Sequence, residues 1–244
     1  MNAGSREAAR VLLVVPAWNE AGGVGRVVSE ARALAERPDV LVIDDGSQDA
    51  TAAVAAAAGA RVVRMPFNCG IGAAVQTGLR FGLEHGYGVI ARFDGDGQHD
   101  PHALAALLAP LAAGSADFTL GSRYLTGEGF QSGAVRRIGI RWFSALLRLA
   151  AGLHVTDPTS GCWAANRRAA EVLAIEYASD YPEVDSIVHL AKRGCRISEV
   201  PVAMRERASG ASSIAGLGTL YYMLKVTLAL LVGQLRGRVA RGGS

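Results

Sequence analysis

Five short, largely apolar runs punctuate the first half of the chain: Val11 to Val15, Val40 to Ile43, Arg61 to Arg64, Val89 to Phe93 and Phe118 to Gly121. Helix-compatible segments separate them: one after Glu20 to about Glu36, Thr51 to Ala58, one after Gly72 to about Glu84, and Pro101 to Ala113. Pro101 falls near a first helical turn, where its missing N–H costs nothing. This alternation is the strongest constraint on the fold. Runs of this length, bounded by turn residues, read as buried strands. Strand alternating with helix demands an α/β domain with a largely parallel central sheet flanked by helices.

Ligands in such sheets bind beyond the carboxyl ends of the strands. Asp44, Asp45, Asn68, Asp94 and Asp96 all fall at such ends. Asp94-Gly95-Asp96 aims two carboxylates at one point beyond the sheet, and paired hard oxygens suit Mg²⁺ or Mn²⁺ shared with a diphosphate. The triplet alone also makes ordinary turns. Asp44-Asp45-Gly46-Ser47 sits where a nucleoside could lie, with a carboxylate accepting from a base N–H or a ribose hydroxyl, but Asp and Ser equally favour a helix N-cap. Gly70-Ile71-Gly72 has part of a dinucleotide fingerprint, yet Val75 holds its third glycine position. These glycines read instead as points where backbone approaches a ligand or a neighbouring helix.

Composition narrows the class. The 244 residues are half hydrophobic and 19% charged, which fits one sizeable domain, or one domain with an appendage. A net charge of +3 is too small to argue for nucleic acid. Three scattered cysteines, Cys69, Cys162 and Cys195, match no metal-ligand spacing and read as reduced thiols of a cytoplasmic protein. The apolar run before Pro16 is too short for a signal-peptide core. Leu217 to Gly233 is interrupted by Lys225 and falls short of the roughly 20 apolar residues of a spanning helix.

After Gly121 the texture changes. A polar loop runs from Ser122 to Val135, and a helix from Arg136 to Ala151 mixes four arginines with Trp142, Phe143 and aliphatics. Asp157 to Gly161 forms a turn, Glu183 to Arg193 a helix and Arg196 to Val202 a strand. The basic, Gly/Ser-rich stretch Arg205 to Ser213 precedes a final apolar helix. The expected organisation is a tail over 1–10, one domain over 11–213, and an amphipathic helix and tail over 214–244. Within the domain, 11–121 would bind nucleotide and 122–213 the acceptor.

Pro16-Ala17-Trp18-Asn19-Glu20, Asp44-Asp45-Gly46-Ser47, Asn68-Cys69-Gly70-Ile71-Gly72, Asp94-Gly95-Asp96-Gly97-Gln98, Gly121-Ser122-Arg123 and Asp157-Pro158-Thr159-Ser160-Gly161 occur in that order. The ordered set resembles the family 2 glycosyltransferases of GT-A fold, and within them the polyprenyl-phosphate (dolichyl-phosphate-type) mannose and glucose synthases. The resemblance spans about residues 10 to 215 and implies a nucleotide-sugar donor, a divalent metal and inversion at the anomeric carbon. By position, it implies that Pro16, Asn19, Glu20, Asp45, Asn68 and Gly72 line the nucleotide pocket. Asp94 and Asp96 would hold metal and donor, with Gln98 close by. Arg123 would bind donor or acceptor phosphates, and Glu183 and Asp185 would stand in the region where hydroxyl-using relatives place a base, with Asp185 the candidate. Arg136, Arg205 and Ser212 would meet the lipid phosphate.

The chemistry suits those roles. Charge grows on the departing diphosphate, and Mg²⁺ or Mn²⁺ with nearby arginines would stabilise it. A lipid phosphate is already anionic and needs no base, whereas a sugar hydroxyl does. The Arg136 to Leu147 segment has the mixture of an interfacial helix, so the chain is expected to sit peripherally on the inner face of the membrane, by adsorption or on a small membrane-protein partner. Three other readings stay open: a glycosyltransferase acting on a hydroxyl through Asp185, a haloacid-dehalogenase-type phosphatase with the first Asp as nucleophile, and a non-catalytic nucleotide-sugar-binding module.

Overall fold

A computed structural model describes residues 9–125, 134–178 and 182–205. The tip of the loop after Arg123, the side chain of Arg136, the basic stretch with Ser212, and the final apolar helix lie outside the described residues. The elements are β1 (Val11–Ala17), α1 (Val24–Arg32), β2 (Asp39–Asp44), α2 (Thr51–Ala57), β3 (Arg61–Arg64), α3 (Ile71–Glu84) and β4 (Val89–Arg92). There follow α4 (Ala103–Ala112), β5 (Phe118–Ser122), α5 (Ala134–Ala151), β6 (Trp163–Asn166), α6 (Arg167–Glu176), α7 (Pro182–Lys192) and β7 (Ile197–Pro201).

The sheet runs β3-β2-β1-β4-β6-β5-β7. Its pairings are parallel except those of β6, which is antiparallel to both β4 and β5. Successive residues of β1 serve opposite faces, as the pleat requires. Leu12 and Val14 pack with α3, α5, α6 and α7 through Val75, Leu79, Phe143, Leu173 and Ile187. Leu13 and Val15 pack with α1, α2 and α4 through Val24, Val28, Ala55, Leu104 and Leu107. Three layers result, and the strand ends emerge between them.

Two expectations need correction. The first strand, expected to end at Val15, runs on, because β1 continues through Pro16 and Ala17 in register with Ile43 and Asp44 of β2. Proline is tolerated there for a geometric reason. The Val14 carbonyl accepts from the Phe93 N–H, so the backbone of Val14, and of Pro16 two residues on, faces β4. The β1–β4 ladder has ended by then, at Val14 opposite Arg92. The missing N–H therefore breaks no bond, and β1 and β4 part just where Asp94 begins. Secondly, β6 and α6 were not foreseen: Asn166 ends the strand and caps the helix, its side chain accepting from the Ala169 N–H.

Candidate active site

The carboxyl ends of β1, β2 and β4 form one rim. At the end of β2, Asp44 is fully buried; one oxygen accepts from the Ser47 N–H at 3.0 Å and the other lies 3.3 Å from Arg64. Asp45 accepts from the backbone N–H groups of Cys69 and Gly70 at 2.8 and 2.9 Å, one on each oxygen. It thereby fastens the loop before α3 to the end of β2. Asn68 closes the same loop, its side chain accepting from the Gly70 N–H. A cavity of about 550 Å³ opens beside these residues, lined by Trp18, Ser47, Arg64, Phe67 and Asn68 among others.

The loop after β1 is stitched to the loop after β2. The Asn19 N–H donates to Ser47 Oγ, the Gln48 N–H donates to Asn19 Oδ1, and the Glu20 N–H donates to Thr51 Oγ1. Asn19 holds a left-handed φ of 54° to do so, a conformation asparagine tolerates better than most residues. Gly72 lies buried in the first turn of α3.

The Asp94–Asp96 turn sits against β1. A side chain at Gly95 would crowd the Pro16 carbonyl and the Ala17 side chain, both 3.1 Å from its Cβ, which is why glycine separates the aspartates. Asp96 accepts from the Gln98 N–H at 3.0 Å. Asp94 Oδ1 receives Arg92 through Nε and Nη2 at 3.2 and 2.8 Å, and Oδ2 meets His99 Nε2 at 3.2 Å. Burial alone would raise the Asp94 pKa, but Arg92 and His99 hold it well below the usual carboxylate range. Burial would likewise lower the His99 pKa, yet its contact with Asp94 leads the opposing causes and pushes it up to about 10.

From the second half of the domain, the Asp157–Gly161 turn closes on the same point. A Cβ at Gly161 would lie 2.6 Å from Asp94 Oδ2 and 3.0 Å from an Arg92 nitrogen. Arg123 is buried at the end of β5 and pairs bidentately with Asp157, at 2.6 and 2.7 Å. Glu199 of β7 supports that turn by accepting from the Thr156 and Asp157 N–H groups.

The rim thus gathers Pro16, Asn19, Glu20, Asp45, Asn68, Gly72, Asp94, Asp96 and Gln98. The remaining sequence candidates are placed differently. Arg205 pairs with Glu30 and Asp100, and its N–H donates to the Gln98 carbonyl. Asp185 pairs with His189 one helical turn on, at 3.3 Å. The α7 acid that joins the cluster is Glu183, through Arg92 at 3.1 Å. Sequence reading passed over Arg92; its signal was a cation within an otherwise apolar strand, which burial obliges to find acids.

Two carboxylates of hard oxygen fit Mg²⁺ or Mn²⁺ when a diphosphate completes the coordination. Arg92 fills Asp94 Oδ1 with two donors and His99 takes one site of Oδ2, so a metal would use the one lone pair left on Oδ2 and lean on Asp96. A closed all-protein cage is not what the rim offers: among the described residues no three His, Cys, Asp or Glu side chains are grouped to hold a metal.

The chain matches the model of glycosyl transferase family 2 over residues 12–173. It belongs to that family. Undecaprenyl-phosphate mannosyltransferase of Micrococcus luteus is 34% identical across 96% of this chain and 99% of its own length. Polyprenol monophosphomannose synthase of Mycolicibacterium smegmatis is 30% identical across 97% of this chain and 91% of its own. Among solved structures, glucosyl-3-phosphoglycerate synthase from Mycobacterium tuberculosis, in complex with Mn²⁺, uridine diphosphate and glucosyl-3-phosphoglycerate, is similar at TM-score 0.70 and 25% identity. That match covers 93% of this chain and 80% of the other. The protein is a glycosyltransferase of GT-A fold, and the phosphatase and non-catalytic readings fall away.

Proposed function

We propose that this glycosyltransferase moves a hexose from a nucleotide-sugar, of GDP-mannose or UDP-glucose type, to polyprenyl phosphate, with inversion at the anomeric carbon. The observation that carries the reading is the convergence on one rim of the cavity beside Asp44 and Asp45 with the Asp94–Asp96 pair. A nucleoside in that cavity would direct its diphosphate toward the paired acids. Mg²⁺ or Mn²⁺ held by Asp96 with Asp94 would supply positive charge against the departing diphosphate. Pro16 keeps β1 and β4 apart at that point. Asn19 and Glu20 anchor the loop over the nucleoside, and Gln98 holds Asp96 by its backbone N–H. Arg123, fixed by Asp157, adds a buried cation near Asp94. Support for the acceptor comes from the mannosyltransferase and phosphomannose synthase relatives, which align over nearly all of the chain. An acceptor phosphate attacks as an anion, so the pairing of Asp185 with His189 is no obstacle.

The proposal includes a membrane contact. Ile140, Phe143 and Leu147 turn one face of α5 into the core, while Ile138, Trp142 and Leu149 stand 63%, 47% and 89% exposed on the other. Arg137, Arg141 and Arg148 are exposed beside them, and α5 contains no acid. Aromatic and aliphatic side chains among cations suit the headgroup layer of an anionic bilayer, here the cytosolic face. Among the described residues no helix is long and apolar enough to cross a membrane. Arg136 and Ser212 are proposed to meet the lipid phosphate, with a small membrane protein as an alternative anchor, whereas Arg205 is held by Glu30 and Asp100 on the α1 and α4 side of the sheet, away from α5.

The test is a panel of labelled donors (GDP-mannose, UDP-glucose and others) incubated with a short polyprenyl phosphate and Mg²⁺ or Mn²⁺. Label should enter the organic phase with one donor preferred. Label confined to water-soluble products would overturn the lipid acceptor.

A further inference from the structure

Arg92 occupies a place where a charge is costly. It ends β4 inside the sheet and is only 2% exposed. An apolar residue would fill the strand at less cost, since a buried ion pair rarely gains over good packing. Every nitrogen of its guanidinium is nevertheless engaged. Nε and Nη2 donate to Asp94 Oδ1, while Nη1 donates to the Tyr177 hydroxyl at 3.0 Å and to Glu183 Oε1 at 3.1 Å. The partners come from three parts of the fold: the turn after β4, the residue that follows α6, and the first turn of α7.

We propose that Glu183 and Tyr177 are positioning residues that act through Arg92 to fix the Asp94 carboxylate where a diphosphate-bound cation can use it. The inference rests on Asp94 and Asp96 being the donor-side metal pair. The geometry divides the guanidinium fork. Glu183 and Tyr177 draw Nη1 away, leaving Nε and Nη2 to grip a single oxygen of Asp94, while His99 takes the other. Oδ1 is then filled by its two donors, and Oδ2 keeps the one lone pair that a cation can use. Without Glu183, Arg92 is released to turn onto both Asp94 oxygens and compete with the cation. Partners that orient a metal ligand without touching the metal commonly carry a 10–100-fold share of its affinity, roughly.

The test titrates UDP and GDP by calorimetry, each with and without Mn²⁺, into the wild type and Glu183→Ala, Glu183→Gln, Tyr177→Phe and Asp96→Ala. The readout is the gain in nucleotide affinity that Mn²⁺ confers. Glu183→Ala should reduce that gain about 10-fold or more while metal-free affinity stays at the wild-type level. Glu183→Gln keeps an acceptor for Arg92 and should lose less, as should Tyr177→Phe. If the gain is unchanged in folded Glu183→Ala and Glu183→Gln, or if metal-free affinity falls in step with it, the positioning role is refuted. Failure of both Glu183 variants to fold also refutes it, because the pair would then serve stability alone. Asp96→Ala separates the two ideas: if the gain survives there, the metal-pair reading itself fails, whatever Glu183 does.

Discussion

Substituting alanine at Gly161 tests whether the second half of the domain closes on Asp94. The added Cβ would stand 2.6 Å from Asp94 Oδ2 and 3.0 Å from an Arg92 nitrogen. Ordinary contact begins near 3.4 Å, so relief takes a movement of about 0.8 Å. Asp94 cannot yield freely, because Arg92 holds one oxygen and His99 the other. Either one of those contacts breaks or the Asp157–Gly161 turn lifts. Overpacking of this kind costs about 1–3 kcal/mol. For a chain of this size that lowers the melting temperature by roughly 2–12 °C. Displacing a group that serves the reacting centre by nearly 1 Å costs up to about 100-fold in rate. The assay is kcat/KM for labelled sugar transfer, read beside a thermal melt. Gly161→Ala should lose about 10–100-fold in kcat/KM while remaining folded. Wild-type transfer and an unchanged melt would refute the close packing of the turn on Asp94.

Three further outcomes follow from the same geometry. Asp45→Asn puts an NH2 group where one oxygen now accepts, and with the carbonyl kept for Cys69 that donor faces the Gly70 N–H, which retains only its 3.2 Å bond to Asn68; the cost should be about 1–3 kcal/mol, seen as a lower melting temperature, and an unchanged melt would contradict it. Asp117 is held well below its ordinary value of 3.8, chiefly by the Arg196 side chain against the opposing effect of burial. A depressed acid stabilises fully above that ordinary value and loses its contribution as pH falls below it, so wild-type melts should drop steeply below about pH 4 and Asp117→Asn should flatten that limb; parallel curves would count against it. Arg141→Glu with Trp142→Ala should weaken sedimentation with anionic vesicles while leaving turnover on a soluble short-chain acceptor near wild type, and unaltered sedimentation would remove α5 from the membrane contact.

Much of the fold was legible because the first half obeys a simple rule. Apolar runs ending in Asp, Asn or Gly mark parallel strands and also place the polar residues that follow at one rim. The second half resists that reading. β6 contributes only Trp163 to Asn166, with two alanines in place of β-branched residues, and its antiparallel insertion between β4 and β5 depends on contacts distant in sequence. The site divides in the same way. Asp94 and Asp96 announce themselves by spacing. Arg92, Glu183, Tyr177 and His99 do not, because their roles arise only when β4, α6, α7 and the Asp157–Gly161 turn meet. Asp185 illustrates the limit: two residues from Glu183 on one helix, it points to His189 instead, and helical geometry rather than residue type separates them.

The central claim is that the carboxylates at this rim hold the cation that meets the departing diphosphate. Sugar transfer by purified Asp96→Ala, measured against wild type with Mg²⁺ or Mn²⁺ at saturating donor, tests it most directly. Turnover should fall by about 100–1,000-fold with the melting temperature preserved. Wild-type turnover in the folded variant would contradict the claim.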